Sequence, residues 1–568
     1  MERRGRFTIA EPLFERGPQL ALTRDSIDLD PGDIALVDFG PGGARALRAL
    51  GSAERPRDVV AALLWDRGME RGFAATLESE ARDAAVAARE GPLARRDLAH
   101  LATFTVDPAT ARDFDDAVSA ETEGDGVRLW IHIADVAAHV RPGGGLDSEA
   151  LRRGTSTYVP GAVEPMLPAA LSDAACSLAP GVDRLAVSAE IVLSLDGEPR
   201  STSFCRSRIR SDARLDYEQL DAFFDGRAQP PPEVAEPLGL ARRAAAALAA
   251  RRRVGSLEIE SFEPDFSFDA DGAVTGAHSV PQTEAHKLIE HLMILTNERV
   301  AQLLEKRRIP TLYRVHEQPE PQRIAFLVEQ LTALDVPTPP LPERLSPSEA
   351  GELVGEISRV VARETAWRGH GRDAYTSLVL RSLKQAYYSE RNLGHAGLGS
   401  SAYAHFTSPI RRYPDLVVHR ALLSAIGAGE DEPDPRAVRD AGWRGSERER
   451  EAAAIERDAD RVCGSFLLGR ELFESGWRRS FEGEISGVIG AGAFVRFGGE
   501  LGDVYEGLLP VRLLRDDRFD LNQTETALVG RRSGRALRLG DPITVRVDSV
   551  DAPRGRVDLV PADGGDDG

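Results

Sequence analysis

"TFTVDPATARDFDDAV", residues 103–118, places four aspartates, Asp107, Asp113, Asp115 and Asp116, within ten positions. "TFTV" alternates polar and apolar residues, which predicts a strand, and Pro108 breaks it just after Asp107. "AVSA" after Asp116 starts the next strand, so the four carboxylates sit on the link between two strands. In an extended chain Asp113 and Asp115 point one way and Asp116 the other. A loop that wraps aims all of them at one point. Anions so crowded repel one another, and they are stable if they spread into water or hold hard cations. A solvated turn explains one or two aspartates, but Asn or Ser would serve a turn without the repulsion. Mg²⁺ takes oxygen ligands, keeps several waters and is usually held by few carboxylates plus a substrate phosphate. Four carboxylates suit a two-metal site, with ions about 3.5–4 Å apart clamping a phosphodiester.

Two other acidic-loop patterns fail. The DxDx[TV] loop of haloacid-dehalogenase-type phosphatases follows a continuous apolar strand, whereas "PATAR" precedes "DFDDAV". An EF-hand needs Gly at loop position 6 and Glu at position 12. Counted from Asp107, those positions hold Arg112 and Val118.

A distant segment supplies cations. "HFTSPIRRYPDLVVHR", 405–420, offers His405, Arg411, Arg412, His419 and Arg420 against only Asp415. Arginine forks match phosphate oxygens, and "SPI" and "YP" put Arg411 and Arg412 at a bend before the helix "DLVVHRALLSAI". The plainer alternative is a surface turn whose arginines pair with acids. Tyr158, in the turn-rich "RGTSTYVPGAVEPMLP" (153–168), is placed to stack on a base or simply to pack.

The wider chain sets bounds. Its 568 residues call for three or four domains, and a hydrophobic content of 42% supports packed ones. The net charge of −20 argues against nucleic acid unless the field is reversed locally. Cys176, Cys205 and Cys463 form no disulfide framework and no CxxC zinc motif. No apolar run reaches about 18 residues, and "MERRGRFTIAEPLFERG" has no signal-peptide core. A cytoplasmic protein with no membrane partner is expected.

Residues 7–52 read as short strands of a small barrel or sheet, and 57–90 as an Ala-rich helical stretch. The middle, 94–476, mixes strands and helices. In the helix 284–306, Leu288, Leu292, Leu295 and Arg299 make one stripe, and His286, Glu290, Met293 and Asn297 a polar one that faces water or lines a cleft. In the helix 448–473, Ala452, Ile455, Ala459, Val462 and Phe466 form a core-facing stripe. Residues 478–560 return to short strands, and the acidic tail 563–568 is expected to be disordered.

Taken together, "VDPATARDFDDAV", "RGTSTYVPGAVEPMLP", "CSLAPGVDRLAVSAEI", "AHKLIEHLMILTNE", "LYRVHEQP", "GHAGL" and "YAHFTSPIRRYPDLVVHR" resemble, in order, the RNB catalytic domain of the ribonuclease II/ribonuclease R family. "GEISGVIGAGAFVRF" through "LRLGDPITVRVDSVD" resembles the S1 domain of ribonuclease R, and 7–52 resembles its second cold-shock domain. The resemblance implies an α+β fold in five parts. These are a cold-shock-like OB barrel (1–56), a helical connector (57–93), an RNB catalytic domain (94–476), an S1-like OB barrel (477–562) and the tail (563–568).

It further implies a processive, Mg²⁺-dependent 3′→5′ exoribonuclease, with Mn²⁺ the alternative ion, releasing nucleoside 5′-monophosphates from single-stranded RNA. A monomer with no DNA substrate is expected. Carried over by position, Asp107, Asp113 and Asp116 are metal ligands, Asp115 the catalytic aspartate, and Arg411 the arginine that steadies the scissile phosphate. Tyr158 stacks on the 3′-terminal base, and Ile259, Glu290, Arg412 and Glu456 complete the RNA-facing set.

Three features depart from the pattern. Ile259 stands where the family often has an aromatic opposite the terminal base. Pro510, in "GLLPVR", replaces an RNA-facing polar or aromatic residue. The chain resembles a shortened ribonuclease R, without a first cold-shock domain, helix-turn-helix or Lys-rich tail. Two rival readings are an RNA-binding regulator with a dead site and a metal-dependent phosphatase of small molecules. The intact Asp107, Asp113, Asp115, Asp116 and Arg411 argue against the first, and two barrels beside the catalytic domain against the second.

Overall fold

The fold is that of a computed structural model, which describes every residue except 1, 5–6, 24, 42, 70–71, 92, 253–263, 280, 343, 499–503, 515–516 and 563–568. Ile259 and the acidic tail therefore lie outside the described residues.

A seven-stranded sheet carries the centre. Its order is Ala213–Leu215, Thr103–Val106, Asp116–Glu123, Gly126–Ala134, Asp183–Leu193, Pro199–Arg210 and Arg96–Asp97. The pairings are antiparallel except at the two edges, where Ala213–Leu215 and Arg96–Asp97 run parallel to their neighbours. Helices Pro232–Arg252 and Glu284–Arg307 pack on the sheet. That cover explains why "TFTV" is buried at all four positions although its sequence alternates. Leu288, Leu292 and Leu295 join Phe104, Ile131 and Ile133 in one core, as the helical stripe predicts.

The sheet holds a polar chain that periodicity does not reveal. The Thr103 and Ser119 hydroxyls lie 2.7 Å apart, Ser119 Oγ is 3.1 Å from His132 Nε2, and His132 Nδ1 is 2.6 Å from Ser188 Oγ. Ser188 Oγ then meets Ser207 Oγ at 2.6 Å. Each of five adjacent strands gives one buried residue. Burial pushes the His132 imidazole down to about 3, so it is neutral and links one donor to one acceptor.

His132→Leu is expected to destabilise the fold by about 1–3 kcal/mol at pH 7, because Ser119 and Ser188 each lose a partner in a dry layer. The penalty should shrink as pH falls below about 6.5. There the unfolded chain protonates this histidine while the folded one does not, so wild type loses about 1.4 kcal/mol per pH unit that the variant does not lose. Urea unfolding at pH 7.5 and pH 5.5 checks both signs. A penalty independent of pH would place the histidine's stabilising effect elsewhere.

At the C-terminal end, Ser480–Ile489, Gly492–Phe497, Tyr505–Pro510, Arg556–Pro561 and Pro542–Asp551 close a five-stranded barrel. Helices Pro321–Ala333, Pro347–Arg368 and Arg372–Ser382 bury Ile324, Leu331, Ile357 and Leu378 in the same core as the barrel's Val495, Val545 and Leu559. The sequence places these helices in the 94–476 unit, whereas their apolar faces share a core with the barrel. Gly371 N donates to Glu484 Oε2 at 2.7 Å and Arg538 pairs with Asp335 at 2.8 Å, fixing that contact. Pro510 is buried at its strand end, so the structure gives it no RNA-facing surface.

The N-terminal strands form a three-stranded sheet (Glu2–Arg4, Phe7–Ala10, Leu20–Ala21) and a hairpin (Asp33–Gly40, Gly43–Ser52). A bridge between Leu22 and Ala44 joins them, and no closed ladder forms among the described residues. The connector is two helices, Pro56–Asp66 and Ala75–Glu90. The long helix Pro435–Ser475 buries Ala452, Ile455, Ala459 and Val462, with Phe466 partly covered. Among the described residues no helix is long and apolar enough to cross a membrane.

Candidate active site

The aspartate loop is bent by partners far away in the chain. Asp107 N donates to Leu215 O at 3.2 Å, so the loop leaves the sheet beside the edge strand. Arg214 Nη2 caps the carbonyls of Pro108 and Ala109 at 2.7 and 2.8 Å. Ser177 Oγ donates to Arg112 O at 2.7 Å and accepts from Phe114 N at 3.1 Å, while Leu178 N donates to Phe114 O at 2.9 Å. These bonds wrap the loop round residues 177–178, so Asp113, Asp115 and Asp116 act on one another although an extended chain would splay them.

The bend at 408–415 meets this loop. Ile410 N donates to Asp115 Oδ1 at 2.9 Å, and Arg411 Nε stands 3.7 Å from Asp115 Oδ2. Asp115 is 4% exposed, whereas the Arg411 side chain is 44% exposed. Arg411 Nη2 also donates to Ser408 Oγ at 3.2 Å. The same bend positions Tyr158: Ser156 N donates to Arg411 O at 2.9 Å, and Tyr413 N to Gly154 O at 2.9 Å. Tyr158 is 40% exposed and is held at both ends. Its backbone N–H donates to Glu456 Oε1 at 2.9 Å, and its hydroxyl donates to Asp113 Oδ2 at 3.1 Å.

Burial and mutual repulsion act on the carboxylates. Burial first, then Asp116 and Asp113, push Asp107 up to about 8. Burial pushes Asp116 up to about 7 against the pull of Arg411, and raises Asp115 well above the carboxylate range. Asp107 Oδ2 is buried and has no hydrogen-bond partner among the described residues. Such an oxygen, in a crowd of hard anionic donors, is a fitting ligand for a divalent cation. The set is not preformed, however. Among the described residues no group of three or more Asp, Glu, His and Cys side chains is drawn together closely enough to hold an ion by itself.

The structure thus gathers Asp107, Asp113, Asp115, Asp116, Arg411, Tyr158 and Glu456. It turns Arg412 away: Nη2 pairs with Asp415 Oδ1 at 2.7 Å, and that carboxylate is fully buried and also accepts Ser408 N at 2.8 Å. Arg412 is a brace of the bend, not an RNA-facing cation. The other expected cations are also internal. His405 meets the Tyr388 hydroxyl at 2.7 Å, His419 stacks on Phe406 at 4.1 Å, and Arg420 pairs with Asp147 at 2.8 Å. Burial holds both histidines down, so neither carries charge near neutral pH.

Glu290 is exposed on its helix with Arg252 and Lys287 as its charged neighbours, and the aspartates are not among them. Asn297, from the polar stripe, faces neither water nor a cleft. It is buried, donates to the Tyr403 hydroxyl at 3.1 Å and accepts Phe406 N at 2.9 Å, holding the segment that leads into the bend. The residues missed in the sequence are these braces, Ser177, Asp415 and Asn297, whose only signal was a small polar side chain inside a turn-rich or apolar stretch.

Comparison with known proteins follows the same lines. The family model "RNB domain" matches residues 95–428. Ribonuclease R of Escherichia coli (strain K12) is 36% identical over 511 residues, covering 87% of this chain and 60% of that protein. The chain spans 56% to 64% of the length of such curated relatives. The solved Mycoplasma genitalium RNase R in complex with ribose methylated single-stranded RNA superposes with a TM-score of 0.86 at 26% identity, over 98% of this chain and 88% of that one. Yeast Ssd1, described as a pseudonuclease, shares the fold at a TM-score of 0.64 and 18% identity, over 92% of this chain and 66% of that one.

Proposed function

From the premise that this chain belongs to the RNB family, we propose that it is a metal-dependent 3′→5′ exoribonuclease, degrading single-stranded RNA processively to nucleoside 5′-monophosphates. One observation carries the reading. Asp115 is buried and pinned by Ile410 N, with a half-exposed arginine beside it and two more aspartates, Asp113 and Asp116, acting on it. A solvated acidic turn needs none of that support. Likeness to a ribonuclease R solved with single-stranded RNA agrees with it.

In this reading Tyr158, clamped through Glu456 and Asp113, offers an exposed ring for the terminal base. Arg411, half-exposed, takes the phosphate charge that the carboxylates would otherwise repel. Asp107 and Asp116 would hold the cation, Mg²⁺ or Mn²⁺, with Asp113 as a further ligand through the carboxylate oxygen that does not accept the Tyr158 hydroxyl. A bound ion supplies a water acidic enough to attack at neutral pH and stabilises the charge growing on the phosphate. Asp115, too deeply held to move, orients the reacting groups.

The fact that no ligand trio is preformed favours a second reading, a catalytically weak RNA-binding protein on the same scaffold. End-labelled RNA incubated with and without Mg²⁺ decides between them. Stepwise shortening from the 3′ end with mononucleotide release supports the enzyme; binding without shortening supports the regulator.

The metal assignment has its own test. Mg²⁺ should raise the melting temperature of the wild type, since an ion at about a hundred times its Kd contributes about 2.7 kcal/mol. Asp107→Asn should melt higher than wild type in EDTA, because Asn has no carboxyl that folding must protonate against burial and its neighbours, and should need more Mg²⁺ for a smaller rise. Thermal melts across a Mg²⁺ titration measure both. A wild type insensitive to Mg²⁺ would remove the cation from the loop.

A further inference from the structure

A cavity of about 490 Å³ opens at one end of the helix Glu284–Arg307. The other end of that helix lies by the aspartate loop. There His286 stacks on Tyr217, whose charged neighbours are Asp116, Asp107 and Arg411. From His286 to Glu305, on the cavity wall, the helix rises about 28 Å at about 1.5 Å per residue. The cavity is therefore separate from the site already described. Its volume falls within the range of small-molecule sites, about 300–1,000 Å³.

Its walls are fixed. Asn392 Nδ2 donates to Glu305 Oε1 at 2.7 Å and to Ser401 O at 2.9 Å, and its Oδ1 accepts Gly394 N at 3.0 Å. Arg439 Nε donates to Glu390 Oε1 at 3.2 Å, tying the start of the helix Pro435–Ser475 to the segment after the strand Tyr387–Ser389. Ile309, Pro310, Pro435 and Val438 supply apolar surface. Tyr313 is 6% exposed, and its hydroxyl, without a hydrogen bond to another described residue, keeps an opening to the cavity. Burial and Glu305 push that phenol up to about 12, so it is a donor near neutral pH.

The charges left over are cationic. The lining holds three arginines against two glutamates, in a chain of net charge −20. Both glutamates accept from the wall itself, and Arg439 is spent on one of them. The side chains of Arg308 and Arg391 are exposed and pair with no acid among the described residues. Arg308 also stands where glycine is the usual residue. It caps the helix Glu284–Arg307 in the left-handed region, φ 57° and ψ 36°, which glycine takes without the strain a side chain brings. A strained backbone that keeps a cation at the rim of a cavity points to a ligand.

We propose that this cavity binds a nucleoside 5′-monophosphate, with Arg308 and Arg391 on its phosphate, its base against Pro310 and Pro435, and the Tyr313 hydroxyl donating to it. Arginine forks match phosphate oxygens, and two of them offset a dianion. The choice of nucleotide rests on the exoribonuclease reading, in which it is the product and is present wherever the enzyme works. The recognition of phosphate rests on the arginines alone.

Calorimetry with AMP in EDTA tests it. Arg411→Met without metal leaves the aspartate loop no cation to hold a phosphate, so AMP bound by that variant reports on the cavity. Adding Arg308→Gly or Arg391→Gln should weaken that binding about tenfold or more, the loss of a hydrogen bond to a charged group. Adenosine, which has no phosphate, should bind about tenfold or more weaker than AMP. Arg308→Gly by itself should not lower the melting temperature, because glycine suits the left-handed cap, and it should leave single-turnover RNA cleavage within about twofold of wild type. If it does melt lower, Arg391→Gln, at an exposed position, decides alone. No AMP binding by Arg411→Met, binding that ignores both arginines, or adenosine binding as tightly as AMP overturns the site. If wild type cleaves no RNA while AMP binds through Arg308 and Arg391, the exoribonuclease reading fails and the cavity stands. If RNA is cleaved and AMP ignores those arginines, the reverse holds.

Discussion

Asp115→Asn is expected to slow single-turnover RNA cleavage by at least about a thousandfold, about 4 kcal/mol of transition-state stabilisation, while RNA affinity holds or tightens. The Asn oxygen can still accept Ile410 N, which Asp115 Oδ1 accepts at 2.9 Å, so the loop keeps its shape. Its amide NH₂ would then face Arg411 Nε, which stands 3.7 Å from Oδ2, setting donor against donor. The charge that orients the reacting groups is lost, and that interaction acts mainly in the transition state, so kcat and kcat/KM should fall together. RNA binding draws on the wider surface, and removing an anion weakens repulsion of the phosphate. High Mg²⁺ should not rescue this variant, in contrast to Asp107→Asn, whose defect is affinity for the ion. Cleavage rates across a Mg²⁺ titration, beside filter binding, test it. Turnover near wild type would mean that the loop is a solvated acidic turn and that the catalytic assignment is wrong.

That loop shows what a sequence carries and what it does not. The strand, the break at Pro108 and the following strand were legible because each is a local effect within 103–118. The wrap was not, because it depends on Ser177 and Leu178, about sixty residues on, and on Ile410 from the far end of the catalytic region. The stripe of Leu288, Leu292 and Leu295 was legible as periodicity, whereas the burial of Asn297 was not, since a polar residue in a helix gives no sign of the backbone it will hold. The Thr103–Ser119–His132–Ser188–Ser207 chain was invisible for a related reason. Two of its links join directly opposite residues, Thr103 with Ser119 and His132 with Ser188, and two run diagonally between strands, so it follows no period along the chain. The barrel was legible from its short strands, but not that helices 321–382 share its core, because an apolar face does not name its partner.

The sharpest case is the pair Arg411 and Arg412, equal in the sequence and opposed in the structure. Arg411 is half-exposed beside Asp115; Arg412 is turned inward onto the fully buried Asp415. Arg412→Met should leave Asp415 as an uncompensated buried anion, and breaking such a pair costs about 3–5 kcal/mol. The bend it braces carries Ile410, Arg411 and the contacts to Ser156 and Gly154, so the site should loosen with it. Arg411→Met should be the reverse. Stability should fall less than in Arg412→Met, because the Arg411 side chain is 44% exposed and its Nε stands 3.7 Å from Asp115 Oδ2 rather than in a close buried pair, while cleavage falls about a hundredfold or more through loss of a charge on the phosphate. The salt dependence of RNA affinity distinguishes the two without reference to catalysis. Each phosphate contact on a single strand contributes about −0.7 to the log–log slope, so Arg411→Met should flatten it by about that amount and Arg412→Met, assayed where it remains folded, should not. Urea unfolding and filter binding at several salt concentrations suffice. If Arg412→Met flattened the slope without destabilising the fold, the arginine would reach RNA after all, and the inward pair with Asp415 would not describe the working state.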